Sequence, residues 1–240
     1  MHVKFFSLTI YLLPFAIVSG PFISDLIISI NAIYIIIIIL KEKIYHILKQ
    51  KIILYLLCFW GYIILSSILS KNVVLSLESS LLYGRFIFFA LSVQYLLSHN
   101  KNFISAFGIF LWACLVIVAI DSYIQFFFGY NILLLPAQQF NRISSFFGEE
   151  LILGSFISRL IPLGFFVIAY AYKKNNIYIG LSLIFLILTD IVVFLAGERA
   201  AFFYLFLSTS LIVILAPDLK LLRLSAFIVS LFFFILISIS

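Results

Sequence analysis

Long apolar stretches separated by short polar connections make up almost the whole chain. Most approach about 20 residues, the length that an α-helix needs to cross the ~30 Å hydrocarbon core of a membrane. Runs such as Ile35–Leu40 do not alternate between apolar and polar residues, as β-barrel strands do. The pattern predicts an all-α, polytopic transmembrane bundle of about nine spans, at about 5–19, 22–40, 52–70, 82–97, 103–125, 151–171, 177–196, 200–216 and 225–240.

The spans follow one another so closely that residues 1–240 are expected to form a single integral membrane domain. The stretch after Lys4 could instead be a signal peptide, but Pro14 interrupts it and no clear small-residue cleavage site follows. A short first span is therefore favoured. The sequence stops at Ser240 inside an apolar run without a polar flank, which predicts a truncated chain with further protein after the ninth span.

Basic residues are divided unequally between the two sides that these spans define. Ten lie in or beside one set of connections: Lys4, Lys41, Lys43, Lys49, Lys51, Lys101, Lys173, Lys174, Lys220 and Arg223. The opposite set holds the other five: Lys71, Arg85, Arg142, Arg159 and Arg199. The positive-inside rule places the first set, and with it the N-terminus, in the cytoplasm.

Composition agrees with this class of protein. The chain is 65% hydrophobic and only 10% charged, far from the composition of a soluble domain. Its net charge of +6 comes mainly from the cytoplasmic lysines, so nucleic-acid binding is not expected. Membrane lipid is the expected surrounding.

Four of the five arginines fall on the outer side, where the positive-inside rule does not explain them. A guanidinium group suits a phosphate or carboxylate held by two hydrogen bonds. The alternative for Arg85 and Arg199 is an interfacial side chain that reaches towards lipid headgroups. Arg159, about nine residues into the sixth span, needs a polar cavity or a partner. One interpretation is a buried ion pair with Asp190, another is an anion site that Arg159 lines and Asp190 orients, and the two are compatible.

The longest connection, residues 121–150, is predicted to be an outer-face, periplasmic segment, where functional groups often concentrate. Asp121 and Gln125 are four residues apart and share a helix face at its start. Cys58 and Cys114 lie inside spans, and the three histidines lie on the cytoplasmic side. No metal site or cofactor is therefore expected, and no standard catalytic signature is present.

Several motifs resemble, in their order and spacing, the O-antigen ligase and O-antigen polymerase superfamily. They are Asp121 to Gln125, Gly129, the stretch 142–156 and the sequence Gly197-Glu-Arg-Ala-Ala. The resemblance implies a metal-independent glycosyltransferase of a bacterial inner membrane. Such an enzyme transfers a glycan from an undecaprenyl-diphosphate-linked donor to lipid A core or to a growing polysaccharide, on the periplasmic face.

The resemblance also assigns roles to residues. The family's diphosphate-binding arginines map to Arg142, Arg159 and Arg199, and the further candidates for substrate binding are Arg85, Asp121 and Gln125. Preorganised arginines can stabilise charge on a leaving phosphate without a metal. A base must activate the acceptor hydroxyl, and the candidates are Glu149, Glu150 and Glu198. The family's periplasmic loop with a functional histidine would follow the ninth span and does not occur in this sequence.

Two other classes of function remain open at this point. Charges within spans, such as Arg159 and Asp190, also fit a transporter or flippase for a lipid-linked or anionic substrate. Against it, no pair of repeated halves is evident in the sequence. The third possibility is a structural membrane subunit in which the charges only pair helices.

Overall fold

The computed structural model describes residues 2–137, 142–171 and 176–239. Asn141 and the predicted connection with Lys173 and Lys174 lie outside the described residues. The described part is helical, with turns and one irregular outer segment, so the predicted all-α class is confirmed. Five helices are long and apolar enough to cross a membrane: Pro21–Glu42, Lys51–Ile68, Val73–His99, Phe103–Phe128 and Pro217–Ile237. Three shorter apolar helices accompany them: Leu153–Val167, Gly180–Leu195 and Arg199–Leu215.

The described chain contains ten α-helices, with short 3-10 turns before α4, before α7 and before α10. Their bounds are α1 His2–Tyr11, α2 Leu13–Val18, α3 Pro21–Glu42, α4 Lys51–Ile68, α5 Val73–His99, α6 Phe103–Phe128, α7 Leu153–Ala171, α8 Asn176–Leu195, α9 Arg199–Leu215 and α10 Lys220–Ile239.

The first predicted span is two short helices, because Pro14 interrupts it. Proline has no amide to donate to the carbonyl four residues earlier, and its ring collides with that carbonyl. Helix α1 therefore ends at Tyr11, and α2 begins with Pro14 in its first turn, where the missing amide costs nothing.

The chain divides into two compact units, residues 1–103 and 104–240. In the first unit, α3 and α4 both pack on α5, and the core includes Ile35 and Leu91, neither of which is exposed. The ring of Trp60 on α4 occupies the space where a side chain at Gly84 on α5 would lie, and its Nε1 donates to Ser80 O at 2.8 Å. Glycine at position 84 therefore permits the close approach of the two helices.

The second unit is built from α6 to α10. Trp112 Nε1 on α6 donates to Gly164 O on α7 at 3.1 Å, and Tyr123 Oη on α6 donates to Leu188 O on α8 at 2.8 Å. Helix α7 packs on both α8 and α9, and α10 packs on both α8 and α9. All the groups described in the following section, except Arg85 and Asp25, lie in this unit.

Candidate functional site

Asp121 and Gln125 hold the irregular segment that follows α6. Their side chains are fully buried, one helical turn apart. Asp121 Oδ1 accepts the amide of Ile132 at 2.8 Å, and its Oδ2 accepts the hydroxyl of Ser145 at 2.5 Å. Gln125 Oε1 accepts the amides of Ser144 and Ser145 at 2.8 and 2.7 Å. Both ends of the segment are thus tied to α6.

The amide side chain of Asn131 completes this framework. Its Nδ2 donates to Ser145 O at 2.9 Å, and its Oδ1 accepts the amide of Leu135 at 2.8 Å. Gln125 Nε2 lies 3.3 Å from the carbonyl oxygens of Leu135 and Pro136. A buried polar group must be hydrogen-bonded, and here the segment itself supplies the partners. The structure therefore gives Asp121 and Gln125 a positioning role, and their contact with substrate stays a prediction.

Glu198 joins the beginnings of α7 and α9. It directly precedes α9, and its two carboxylate oxygens accept the amides of Gly154 and Ser155 at 2.7 and 3.1 Å and the hydroxyl of Ser155 at 2.6 Å. The first amides of a helix have no partner within the helix, and a carboxylate there is also favoured by the helix dipole. A Cβ at Gly154 would lie 2.9 Å from Ala201 Cβ, so glycine allows this close contact.

Helices α7 and α9 lie side by side and run in the same direction. Gly154 meets Ala201 near the two beginnings, and farther along the helices Arg159 meets Tyr204. The Cζ atom of Arg159 is 4.8 Å from the centroid of the Tyr204 ring, and its Nη2 is 3.4 Å from the Tyr204 hydroxyl. Both N-termini therefore open at one end of the unit. Helix N-termini carry partial positive charge and commonly bind anions.

Arg142 lies across the turn that joins α8 to α9. Its Nε donates to Ala196 O at 3.0 Å. Gly197 has φ of +66°, and a Cβ there would be 3.1 Å from Arg142 Nε, so the turn fits the arginine closely only with glycine. Within the described part of the chain, the two Nη groups of Arg142 make no hydrogen bond.

Arg199 is the first residue of α9 and is exposed. Over the described ranges its guanidinium has no hydrogen-bond or ion-pair partner. Arg142 contacts the turn only two residues before it, and Arg159 lies along the neighbouring helix. The carboxylate of Glu198 is already engaged with the amides of α7. Arg142, Arg159 and Arg199 thus bring three guanidinium groups to this end of the unit, and such groups suit a phosphate or carboxylate ligand.

Glu149 and Glu150 are exposed in the short stretch that leads into α7. Gly148 before them has φ of +59°, which turns the chain towards the helix. Their side chains have no hydrogen-bond or ion-pair partner among the residues that the structure describes. Unlike Glu198, neither accepts a hydrogen bond from a residue that the structure describes.

Arg85 lies in the first unit and is paired there. Its Nη2 is 2.8 Å from Asp25 Oδ2, and its Cζ is 5.0 Å from the Phe86 ring centroid. The side chains retain 25% and 47% exposure, so solvent or headgroups reach this pair. Arg85 as a substrate ligand stays a prediction.

The predicted pair of Arg159 and Asp190 is not formed. Asp190 Oδ2 is 2.7 Å from Arg223 Nη1, and neither side chain is exposed. Arg159 instead faces outward against Tyr204. The physical reason is that Arg223, counted with the cytoplasmic connections in the sequence, lies inside α10 and turns towards α8.

Sequence reasoning missed four residues that shape the site: Tyr204, Arg223, Asn131 and Ser145. Asn131 had a usable signal, since an asparagine shortly after a glycine often organises a turn through its side chain. Tyr204 and Arg223 had none, because the partner of each lies on another helix. Among the described residues, no group of three or more histidine, cysteine or acidic side chains could hold a metal ion.

Comparison with protein-family models, with curated proteins and with solved structures finds no match for this chain.

Proposed function

We propose that the second unit binds the diphosphate of a lipid-linked glycan and that the protein is a membrane glycosyltransferase of the O-antigen ligase or polymerase type. The observation that carries the proposal is the position of Arg142 and Arg199 at the beginning of α9, where the described residues leave both Nη groups of Arg142 and the guanidinium of Arg199 without a hydrogen bond. Backbone amides and arginine forks are the groups that proteins use to hold phosphate. In this proposal the arginines, and not a metal, stabilise the negative charge of the diphosphate.

The proposed topology follows from the distribution of lysine and arginine. About nine spans, with the N-terminus in the cytoplasm of a bacterial inner membrane, place this end of the second unit at the periplasmic face. A lipid-linked donor would approach it laterally, with its phosphates at the level of the headgroups. Arg159 lies farther along α7, against Tyr204, on the route that such a lipid would take.

In the proposed reaction, an acceptor hydroxyl attacks the anomeric carbon of the donor glycan. The bond from that carbon to the phosphate oxygen breaks, and undecaprenyl diphosphate leaves with the electron pair. Arg142 and Arg199 would stabilise the charge that develops on the leaving phosphate. Glu149 or Glu150 would take the hydroxyl proton. Glu198 fits this task less well, because both of its oxygens already accept hydrogen bonds.

The test is complementation of a bacterium that lacks this gene, with the surface glycan displayed as a ladder on a gel. Arg142→Lys and Arg199→Lys keep the charge but lose the two-pronged geometry, so each should abolish ligated or polymerised glycan at unchanged protein level. Lys220→Arg, at an exposed position at the start of α10, is the matched control and should keep a normal ladder. A normal ladder from both arginine variants would exclude the proposal.

The alternative is a transporter or flippase for a lipid-linked or anionic substrate. One observation favours it, namely the fully buried ion pair of Asp190 and Arg223, since charges within spans often mark substrate or ion pathways. The two functions give different intermediates. Loss of a flippase leaves the lipid-linked donor on the cytoplasmic face, whereas loss of the transferase leaves it on the periplasmic face.

A further inference from the structure

The segment directly after α6 exposes an apolar tip. Ile132, Leu133 and Leu134 show 56%, 61% and 75% exposure. Directly before it along the chain, at the end of α6, Phe127 and Phe128 are 73% and 67% exposed. An isolated exposed leucine is unremarkable, but a contiguous apolar surface marks contact with a partner or with lipid.

The sequence around the tip is uncharged over an unusual length. No aspartate, glutamate, lysine or arginine occurs from residue 122 to residue 141. A connection in water normally carries charge or turn-forming polar residues. Here the polar side chains Asp121, Gln125 and Asn131 are buried beneath the segment. The segment is thus polar on its inner side and apolar on its outer side.

The amides on either side of Leu133 are hydrogen-bonded within the protein. The amide of Ile132 donates to Asp121 Oδ1, that of Leu134 to Asn131 O, and that of Leu135 to Asn131 Oδ1. Two further bonds close the loop: Asn131 N donates to Leu135 O at 3.0 Å, and Ala137 N donates to Gly129 O at 2.8 Å. Water could serve these amides equally well. Such internal pairing becomes necessary where water is scarce, as it is in the hydrocarbon of a membrane.

From these three features we propose that residues 129–137 form a membrane-inserted wedge. Ile132, Leu133 and Leu134 enter the boundary between headgroups and acyl chains in the leaflet where α6 ends. The occupant of the apolar surface is the bilayer itself, because the tip directly follows the exposed apolar end of α6, a helix long and apolar enough to cross a membrane. The segment is therefore an interfacial element rather than a loop in water.

The wedge has a mechanical consequence for the neighbouring residues. Ser145 is bonded both to Asp121 and to Asn131, at 2.5 and 2.9 Å, so the tip and the stretch after Arg142 move as one body. Insertion of the tip then sets the level of Arg142 relative to the headgroups. This inference does not depend on the proposed glycosyltransferase activity.

The experiment measures the depth of single labelled cysteines in lipid. In the full chain with Cys58→Ser and Cys114→Ala, Leu133→Cys is labelled with bimane and reconstituted into phosphatidylcholine vesicles. Nitroxide lipids labelled at carbon 5 of the acyl chain probe the membrane, and iodide probes the water. Glu149→Cys, at an exposed charged position of the same outer segment, is the matched control.

We expect nitroxide lipid to quench the label at position 133 several-fold more strongly than the label at 149, with the reverse order for iodide. Equal iodide quenching at both positions would overturn the wedge. Quenching by neither agent at position 133 would also overturn it, because the tip would then be covered by protein. If Leu133→Cys is not recovered as a monodisperse protein, Leu134→Cys supports the same comparison at an even more exposed position.

Discussion

Asp190 and Arg223 form an ion pair with 2.7 Å between Oδ2 and Nη1, and neither side chain has any exposed surface. The pair links α8 to α10. Thr209 on α9 accepts a hydrogen bond from Arg223 Nε at 3.0 Å, so three helices meet at one charged group. Asp190 Oδ1 and Arg223 Nη2 have no hydrogen-bond partner among the described atoms. A charge left alone there would be costly, which makes the pair obligatory for the packing of these helices.

The pair predicts a characteristic pattern of stability. Arg223→Met should lower the stability of the detergent-solubilised protein by about 3–5 kcal/mol, because it leaves Asp190 buried without its partner. Adding Asp190→Leu should restore most of the loss, since two apolar side chains tolerate this site. Thermal unfolding followed by size-exclusion chromatography measures both. A double variant less stable than the single one would show that the charges themselves are required.

The hydrogen bonds of Glu198 predict that its role in capping α7 can be separated from a role in catalysis. Glu198→Ala removes the acceptors of Gly154 and Ser155 amides and should cost about 1 kcal/mol of stability. Glu198→Gln keeps one carbonyl oxygen as an acceptor for these amides and should lose clearly less stability than Glu198→Ala. Glu150→Ala, at an exposed side chain, is the control and should leave the melting temperature unchanged. Should the glutamine variant melt normally and yet produce no glycan ladder, Glu198 would be needed for more than capping.

The conformation of Gly197 predicts that a side chain at this position would strain the turn and displace Arg142. Gly197→Ala introduces a side chain at a residue with φ of +66°, which should lower the stability by about 1–2 kcal/mol. The new Cβ would also lie 3.1 Å from Arg142 Nε. We expect a lower melting temperature together with a reduced glycan ladder, because Arg142 must shift. Gly180→Ala is the control, since Gly180 lies within α8 and a Cβ there would have no atom within 4 Å. Equal melting temperatures for the two alanine variants would contradict this role of the turn.

The hydrogen bonds of Asp121 predict that this residue anchors the segment after α6 to the helix. Asp121→Ala removes the acceptor of the Ile132 amide and of the Ser145 hydroxyl. A buried donor left without an acceptor lowers the stability by about 1–3 kcal/mol. Hydrogen exchange should therefore increase in the peptide that covers residues 129–137 while the helices stay protected. Ser122→Ala removes only a bond to Val118 O within α6 and should not change that peptide. An unchanged exchange rate in the aspartate variant would show that other contacts suffice.

The sequence located most helices but not the break in the first span or the role of the outer segment. Long apolar stretches determine helices because backbone groups in lipid must pair within the segment. Pro14 signalled a break, yet it was expected to leave one short span, and the structure has two helices there. Asp121 and Gln125 were correctly placed on one helix face. Their partners were beyond prediction, because those partners belong to a segment without periodicity.

By itself, the sequence determined the class of this protein: apolar length and the scarcity of charge leave only a helical membrane protein. The tertiary structure alone decided the partners of the charged residues. Arg223 is three residues from Lys220 and was grouped with the cytoplasmic lysines, yet it turns inward to Asp190, 33 positions earlier. Helical periodicity specifies which residues share a face but not which helix that face meets. Pairing between distant residues therefore depends on how the helices pack.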